Sequence, residues 1–191
     1  MTKFILHGGY TREPNELNRT FFTELAKDVP NNGTILLVYF ASTDDNIDTR
    51  FEEHRKMILE NITPNTVTVL LANEKDFIHQ VNIADAIFLN GGNTDKLLKT
   101  LENYPDFKNE IEGKTIAGSS AGAYTLARYG ASHSLKEMRR GLGIVPIRLI
   151  CHFESETLPP SKTSVEMLIG TSPELELVTL KDYEWRTFHK N

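Results

Sequence analysis

The sequence lacks the features of proteins held together by disulfides, cysteine-bound metals or a membrane. Among 191 residues it has one cysteine, Cys151, which excludes an internal disulfide framework and a cysteine-rich zinc site. No apolar run approaches the roughly 20 residues that would cross a bilayer. The first residues lead directly into a strand-like run, whereas a secretory signal needs a longer apolar region and a cleavage site. We therefore expect a cytoplasmic protein with no membrane segment.

An excess of positive charge is also missing. Lys and Arg total 21 against 26 Asp and Glu, and the formal net charge at pH 7 is −5. Nucleic-acid partners are bound through basic surfaces, so no nucleic-acid partner is expected. The hydrophobic fraction of 39% and the charged fraction of 25% are typical of a folded globular protein. The length predicts one domain over residues 1–191.

Short apolar segments alternate with amphipathic ones along the chain. Several are apolar at nearly every position, which is typical of parallel strands covered by helices on both faces. The predicted strands lie at 3–7, 34–42, 66–71, 84–89, 114–118, 145–151 and 175–180. Helical patterns lie at 15–29, 46–61, 94–102, 121–130 and 161–170. We predict an α/β fold, a doubly wound and mostly parallel sheet with helices on both faces, whose ligands bind at the carboxyl ends of the strands.

A G-x-S-x-G motif follows the fifth predicted strand. It reads Gly118-Ser119-Ser120-Ala121-Gly122 and is followed by a predicted helix. In this strand–turn–helix setting a serine hydroxyl projects from a tight turn, and the helix N-terminus offers N–H donors beside a developing oxyanion. Ser120 is therefore the candidate nucleophile.

A serine nucleophile needs a base, usually histidine. His152 directly follows the predicted strand 145–151, at the ligand-binding edge of the sheet, and is the leading candidate. His7 ends the first strand and could line the same site. His54 and His79 lie in charged helical stretches and are interpreted as solvated side chains, while His133 and His189 fall in a loop and near the C-terminus.

Four carboxylates are candidates for the acid that would orient His152. Asp182 follows the strand predicted at 175–180 and would emerge at the same sheet edge, so it is the first choice. Glu154 and Glu156 are close to His152 in sequence, but reaching back to its imidazole along one loop is awkward. Glu184 is a further alternative.

A glycine turn follows the fourth predicted strand, in the run Asn90-Gly91-Gly92-Asn93. Asn93 is a candidate N-cap for the helix at 94–102. Main-chain N–H groups at Gly91 or Gly92 could form half of an oxyanion hole, with the Ala121 N–H as the other half. Gly91 and Asn93 are also expected to contact substrate. Neither G-x-G-x-x-G nor G-x-x-x-x-G-K-[ST] occurs, so no nucleotide site is predicted.

Together these motifs resemble the dipeptidase E and cyanophycinase family of serine peptidases. The segments that carry the resemblance are 90–94 (NGGNT), 118–122 (GSSAG) and 141–146 (GLGIVP) with His152 and Phe153 after it. The resemblance implies a fold like that of the class I glutamine amidotransferases, with serine in place of their cysteine. It implies that Ser120 is the nucleophile and His152 the base, and it places Asp182 where the family carries its acid. It also implies an oxyanion hole at Gly92 and Ala121.

One segment departs from the family pattern. In the family that the motifs resemble, aspartyl dipeptidase recognises an N-terminal aspartate through an arginine in the helix after the histidine loop. Here that helix, 162–168, reads KTSVEML and has no arginine, so strict Asp-X specificity is not expected.

We therefore expect an intracellular serine peptidase that hydrolyses small peptides without a metal or organic cofactor. Two alternatives stay open: an esterase or amidase acting on a non-peptide acyl compound, and a catalytically silent binding module of the same fold. The sequence predicts no oligomeric state.

Overall fold

A computed structural model describes residues 1–43, 45–62, 66–134 and 136–190. The predicted domain 1–191 also includes positions 44, 63–65, 135 and 191, which lie outside the described residues, and the prediction of one domain stays a prediction. The helices are α1 (Glu16–Ala26), α2 (Ile47–Glu60), α3 (Phe77–Ile83), α4 (Thr94–Leu101), α5 (Phe107–Glu110), α6 (Ala121–Leu126) and α7 (Lys162–Gly170). The strands are β1 (Thr2–His7), β2 (Thr34–Val38), β3 (Thr68–Leu71), β4 (Ala86–Leu89), β5 (Thr115–Ser119), β6 (Ala127–Gly130), β7 (Arg139–Arg140), β8 (Val145–Ile150), β9 (Glu176–Thr179) and β10 (Trp185–Lys190).

The strands form two sheets. One has six strands in the order β10-β1-β5-β4-β2-β3, and the other has four in the order β7-β6-β8-β9. All neighbouring strands within each sheet are parallel except the pairs β1–β10 and β6–β7. The α/β class with mostly parallel strands is confirmed. The division into two sheets was not predicted.

The central strands of the six-stranded sheet, β1, β5, β4 and β2, are buried on both faces because their side chains alternate between two apolar clusters. Ile5, Leu37 and Phe88 pack with side chains of α1 and α2 on one face. Neighbouring positions such as Leu6 point to the other face, into a cluster that also contains Leu149 of β8. This two-sided burial explains why the strand segments are apolar at nearly every position.

The helix predicted at 121–130 is shorter in the structure, with six residues. It ends at Leu126, and residues 127–130 form β6. This segment pairs with β8 on one side and β7 on the other, so the hydrogen bonds of the second sheet override the local helical pattern. Glycine is required at position 130 in this strand, because a Cβ there would lie 2.3 Å from Cδ1 of Tyr124.

The helices in the described part of the chain are short. Among the described residues no helix has the length and apolarity of a membrane span, and α2, the longest of them, has 14 residues.

Candidate active site

Ser120 lies at a strained turn between β5 and α6. Its φ of 49° and ψ of −105° are unusual for a residue with a side chain. The turn is so tight that it leaves no room for side chains at its two glycines. A Cβ at Gly118 would lie 2.5 Å from the carbonyl carbon of Gly122, and a Cβ at Gly122 would lie 2.0 Å from the carbonyl oxygen of Leu89. The two glycines of the G-x-S-x-G motif are therefore required by contacts with backbone.

His152 bridges Ser120 and Asp182. The Ser120 Oγ lies 3.1 Å from His152 Nε2, and the Asp182 Oδ1 lies 2.6 Å from His152 Nδ1. An ionised carboxylate only accepts hydrogen bonds, so it holds the proton of the imidazole on Nδ1. The Nε2 lone pair is then free to accept the hydroxyl proton of Ser120, which is the geometry of general-base activation.

The end of β1 joins the three chain segments that carry these side chains. The carbonyl oxygens of residues 7, 8 and 9 accept, in that order, the main-chain N–H groups of Ser120, His152 and Tyr183 at 3.0, 3.2 and 3.2 Å. Tyr183 directly follows Asp182. One stretch of three residues thus sets the relative positions of serine, histidine and aspartate.

A buried histidine fixes that stretch. His7 Nδ1 accepts the Gly9 N–H at 3.0 Å, so the ring proton lies on Nε2 and is donated to Asn18 Oδ1 at 2.9 Å. The Asn18 amide in turn donates to the carbonyl oxygens of Tyr10 and Glu13. Burial lowers the pKa of His7 to about 4, against the opposing effect of Asn18, so this network contains a neutral imidazole at neutral pH.

The His152 ring is enclosed by other rings. The ring centroids of Tyr10 and His133 lie 5.1 and 5.2 Å from it, both in edge-on contact. Burial lowers the pKa of His152 from its ordinary value, while the hydrogen bond and charge of Asp182 act in the opposite direction. His152 is therefore neutral at neutral pH, which is the state that general-base catalysis requires.

Ser120 and His152 open onto a cleft of about 280 Å³. Its other walls come from the loop after β1, from α2 and from the glycine turn, and are formed by Tyr10, Thr11, Arg12, Glu13, Arg50, His54, Asn90, Gly91, Gly92, Ser119 and Leu158. A second cavity of about 520 Å³ lies on the Asp182 side and shares Tyr10 and Glu13 with the cleft. The cleft that contains the serine is the smaller of the two.

The glycine turn lies against Ser120. A Cβ added to Gly91 would be 3.5 Å from the Ser120 Cβ, and Gly92 has a φ of +147°, a conformation that favours glycine. Asn93 caps α4 through its Oδ1, which accepts the Lys96 N–H at 3.0 Å, so the predicted cap is confirmed. The wall of the cleft reaches Gly92 and does not include Asn93.

The alternative acids have other partners. Glu154 forms an ion pair with Lys181 at 2.5 Å, and Glu184 accepts the main-chain N–H of Lys181 at 2.9 Å. Glu156 lines the larger cavity. Of the four carboxylates considered from the sequence, Asp182 is the one hydrogen-bonded to His152.

The interpretation of His54 as a solvated side chain was wrong. It is 1% exposed, and its ring nitrogens contact Thr11 Oγ1 at 3.0 Å and the Tyr39 hydroxyl at 2.7 Å. Burial lowers its pKa to about 3. The sequence signal that could have indicated the burial of His54 is its position between Phe51 and Ile58, on the apolar side of α2. His79 is exposed, so the interpretation of that residue as a solvated side chain is confirmed.

No metal-binding cluster accompanies these residues. Within the described ranges, no group of three or more His, Cys, Asp or Glu side chains is arranged to hold a metal ion.

An α/β fold with a serine, an imidazole and a carboxylate in hydrogen-bond contact is the architecture of a serine hydrolase. The comparison with protein families narrows this class. Residues 4–191 match the model of Peptidase family S51. The chain belongs to this family of serine peptidases.

Two solved structures are similar to this chain. A peptidase from an acI-B1 Actinobacterium matches with a TM-score of 0.71 and 21% identity, over 98% of this chain and 83% of that one. A candidate peptidase E protein of Listeria monocytogenes EGD-e matches with a TM-score of 0.68 and 17% identity, over the full length of both chains. At these identities the likeness shows the fold. No curated protein matches the sequence significantly.

Proposed function

We propose that the protein hydrolyses small peptides through an acyl-enzyme on Ser120. The observation that carries this proposal is the position of His152, with Nε2 3.1 Å from the Ser120 hydroxyl and Nδ1 2.6 Å from Asp182. Membership of a serine peptidase family supports it. A cytoplasmic location belongs to the same proposal.

The reaction begins at the hydroxyl of Ser120. As Oγ attacks the scissile carbonyl carbon, His152 Nε2 takes the hydroxyl proton, and Asp182 stabilises the imidazolium that forms. The N–H groups of Gly92 and Ala121 hold the negative oxygen of the tetrahedral intermediate. His152 then protonates the leaving amine, and the C–N bond breaks to give the acyl-enzyme. Water, deprotonated by the same imidazole, attacks the ester and releases Ser120.

The substrate is a short peptide. A cleft of about 280 Å³ has room for a few side chains rather than a folded chain. Gly91 lines the cleft and can contact the main chain of a substrate. A contact with Asn93 is also proposed, although its side-chain oxygen is committed to the cap of α4.

A strict preference for N-terminal aspartate is not part of this proposal. Helix α7 holds no arginine, and it packs through Leu168 in an apolar cluster with Ile150 of the second sheet. The arginines that line the cleft, Arg12 and Arg50, come from the β1–α1 loop and from α2.

The test is cleavage of a dipeptide library by the wild type and by Ser120→Ala. We expect the wild type to release free amino acids and the variant to lose at least about 1,000-fold in kcat/KM. Undiminished cleavage by Ser120→Ala would refute the nucleophile. Turnover of p-nitrophenyl esters without dipeptide cleavage would favour an esterase, and inactivity on both would favour a binding module.

A further inference from the structure

Arg50 reaches from α2 to the glycine turn beside Ser120. Its Nη2 donates to the carbonyl oxygen of Gly91 at 3.3 Å, and its Nη1 donates to Ser42 Oγ at 3.0 Å. The guanidinium carbon lies 5.6 Å from the ring centroid of Tyr39, whose own hydroxyl donates to the Arg50 carbonyl oxygen at 3.1 Å. The charged group is thus held in one place by contacts on several sides.

The Gly91 carbonyl and the Gly92 N–H belong to one peptide group. A hydrogen bond from a cation to the carbonyl oxygen draws electron density from the nitrogen through amide resonance, so the N–H becomes a stronger donor. In a trans peptide the N–H points opposite to the C=O. The Gly92 N–H therefore points away from Arg50.

The turn needs an external anchor of this kind. Gly92 has a φ of +147°, and glycine by itself holds no single backbone conformation. A Cβ at Gly92 would come 2.3 Å from the carbonyl oxygen of Ala41, which also accepts the Asn93 N–H at 2.8 Å. That bond fixes the peptide after Gly92, and the bond from Arg50 fixes the peptide before it.

We propose that Arg50 is a positioning residue for the oxyanion hole, which orients the Gly91–Gly92 peptide and strengthens its N–H as a donor to the developing negative charge. The inference rests on the proposed function, in which Gly92 supplies that N–H. In this role Arg50 exchanges no proton and forms no bond to the substrate. It acts through the Gly91–Gly92 peptide, so its effect is largest when the substrate oxygen carries the full charge.

The test compares Arg50→Met and Arg50→Lys with the wild type on one dipeptide substrate. We expect Arg50→Met to lower kcat by about 10- to 100-fold with KM within about twofold, less than the 100- to 1,000-fold that loss of a whole donor costs. Arg50→Lys keeps the charge but not the two-pronged geometry, and should lie between Arg50→Met and the wild type. Arg55→Met, on the exposed side of α2, should retain full activity.

A peptide aldehyde provides the readout that a merely structural role would not change. Ser120 Oγ adds to the carbonyl carbon of the aldehyde, and an oxyanion forms without a leaving group. In the Arg50 variants its inhibition constant should rise by the same factor by which kcat/KM falls, while a product amino acid should bind as in the wild type. Arg12→Met removes another guanidinium from the cleft and should not reproduce this pattern.

Three results would overturn the inference. A rise in KM at constant kcat in Arg50→Met would show that Arg50 binds substrate. Unchanged kinetics would show that it has no role in catalysis. Equal losses of aldehyde binding and product binding would show that its role is structural. If Arg50→Met does not fold, the aldehyde constant of Arg50→Lys decides by the same criteria. Labelling of wild-type Ser120 by a fluorophosphonate tests the proposed function separately, because it does not depend on the Arg50 variants.

Discussion

The imidazole of His152 lies directly over Gly9. A Cβ at position 9 would be 2.0 Å from His152 Cε1 and 2.4 Å from Nε2, the atom that faces Ser120. The backbone of Gly9 has a φ of +136°, which a residue with a side chain rarely adopts. The ring thus occupies space that exists only because the residue two positions after β1 is glycine.

Gly9→Ala should displace the His152 ring. We expect a loss of about 100-fold in kcat/KM, since a shift of about 1 Å in a reacting group has that effect, together with a loss of about 1–3 kcal/mol in the free energy of unfolding from overpacking. The measurements are steady-state kinetics and urea denaturation.

Gly170→Ala is the matched control, because nothing lies within 4 Å of a Cβ at that position. It should behave as the wild type in both measurements. An active Gly9→Ala enzyme would show that the ring position over Gly9 is unimportant for catalysis.

Asp182→Asn should lower kcat by about 1,000- to 10,000-fold, because an amide can donate to Nδ1 and so stabilise the wrong tautomer of His152. The same kinetics on Glu154→Gln and Glu184→Gln should show little change, since these carboxylates contact Lys181 instead. If either glutamine variant lost as much activity as Asp182→Asn, the acid would be misassigned.

The pH dependence of kcat/KM should follow His152. Burial lowers its pKa below the ordinary value of 6.5 despite the opposing charge of Asp182, and the base works in its neutral form. Activity should therefore rise with pH and reach half its maximum below pH 6.5. An acidic limb centred above pH 6.5 would contradict this environment for the ring.

The location of the site could be predicted from local sequence. Parallel strands bring their carboxyl ends to one edge, so the residues after β5, β8 and β9 were expected close together, and the structure has Ser120, His152 and Asp182 in hydrogen-bond contact. Their catalytic roles stay proposals. The G-x-S-x-G pattern was informative because both glycines meet backbone.

Other parts depend on contacts between distant segments. Strand β10 was not predicted, because its pairing with β1 joins the two ends of the chain. The three carbonyl groups of residues 7–9 act through the main chain and leave no side-chain pattern. Arg50 is 41 residues from Gly91 and lies in a helix with a weak apolar stripe, so nothing local connects it to the glycine turn.

Acid should destabilise the fold through two buried histidines. The pKa values of His7 and His54 are lowered to about 4 and about 3, so below pH 6.5 the unfolded chain binds protons that the folded state does not. The free energy of unfolding should then fall by about 1.4 kcal/mol per pH unit for each histidine as pH drops from about 6.5 toward 4.

His54→Gln isolates one of these contributions from the carboxylates, which also respond to acid. We expect urea denaturation between pH 7 and 4.5 to show a free energy of unfolding that depends less steeply on pH for His54→Gln than for the wild type. The difference in slope should correspond to the uptake of one proton. Parallel curves for the two proteins would mean that His54 titrates alike in the folded and unfolded chains.

Reaction with a fluorophosphonate, followed by intact mass measurement and peptide mapping, tests whether Ser120 is the nucleophile and whether His152 activates it. The proteins compared are the wild type, Ser120→Ala and His152→Ala. We expect one adduct, on Ser120, absent from Ser120→Ala and formed far more slowly in His152→Ala. If the wild type reacts at another residue, or if Ser120 is labelled at the same rate without His152, these roles are wrong.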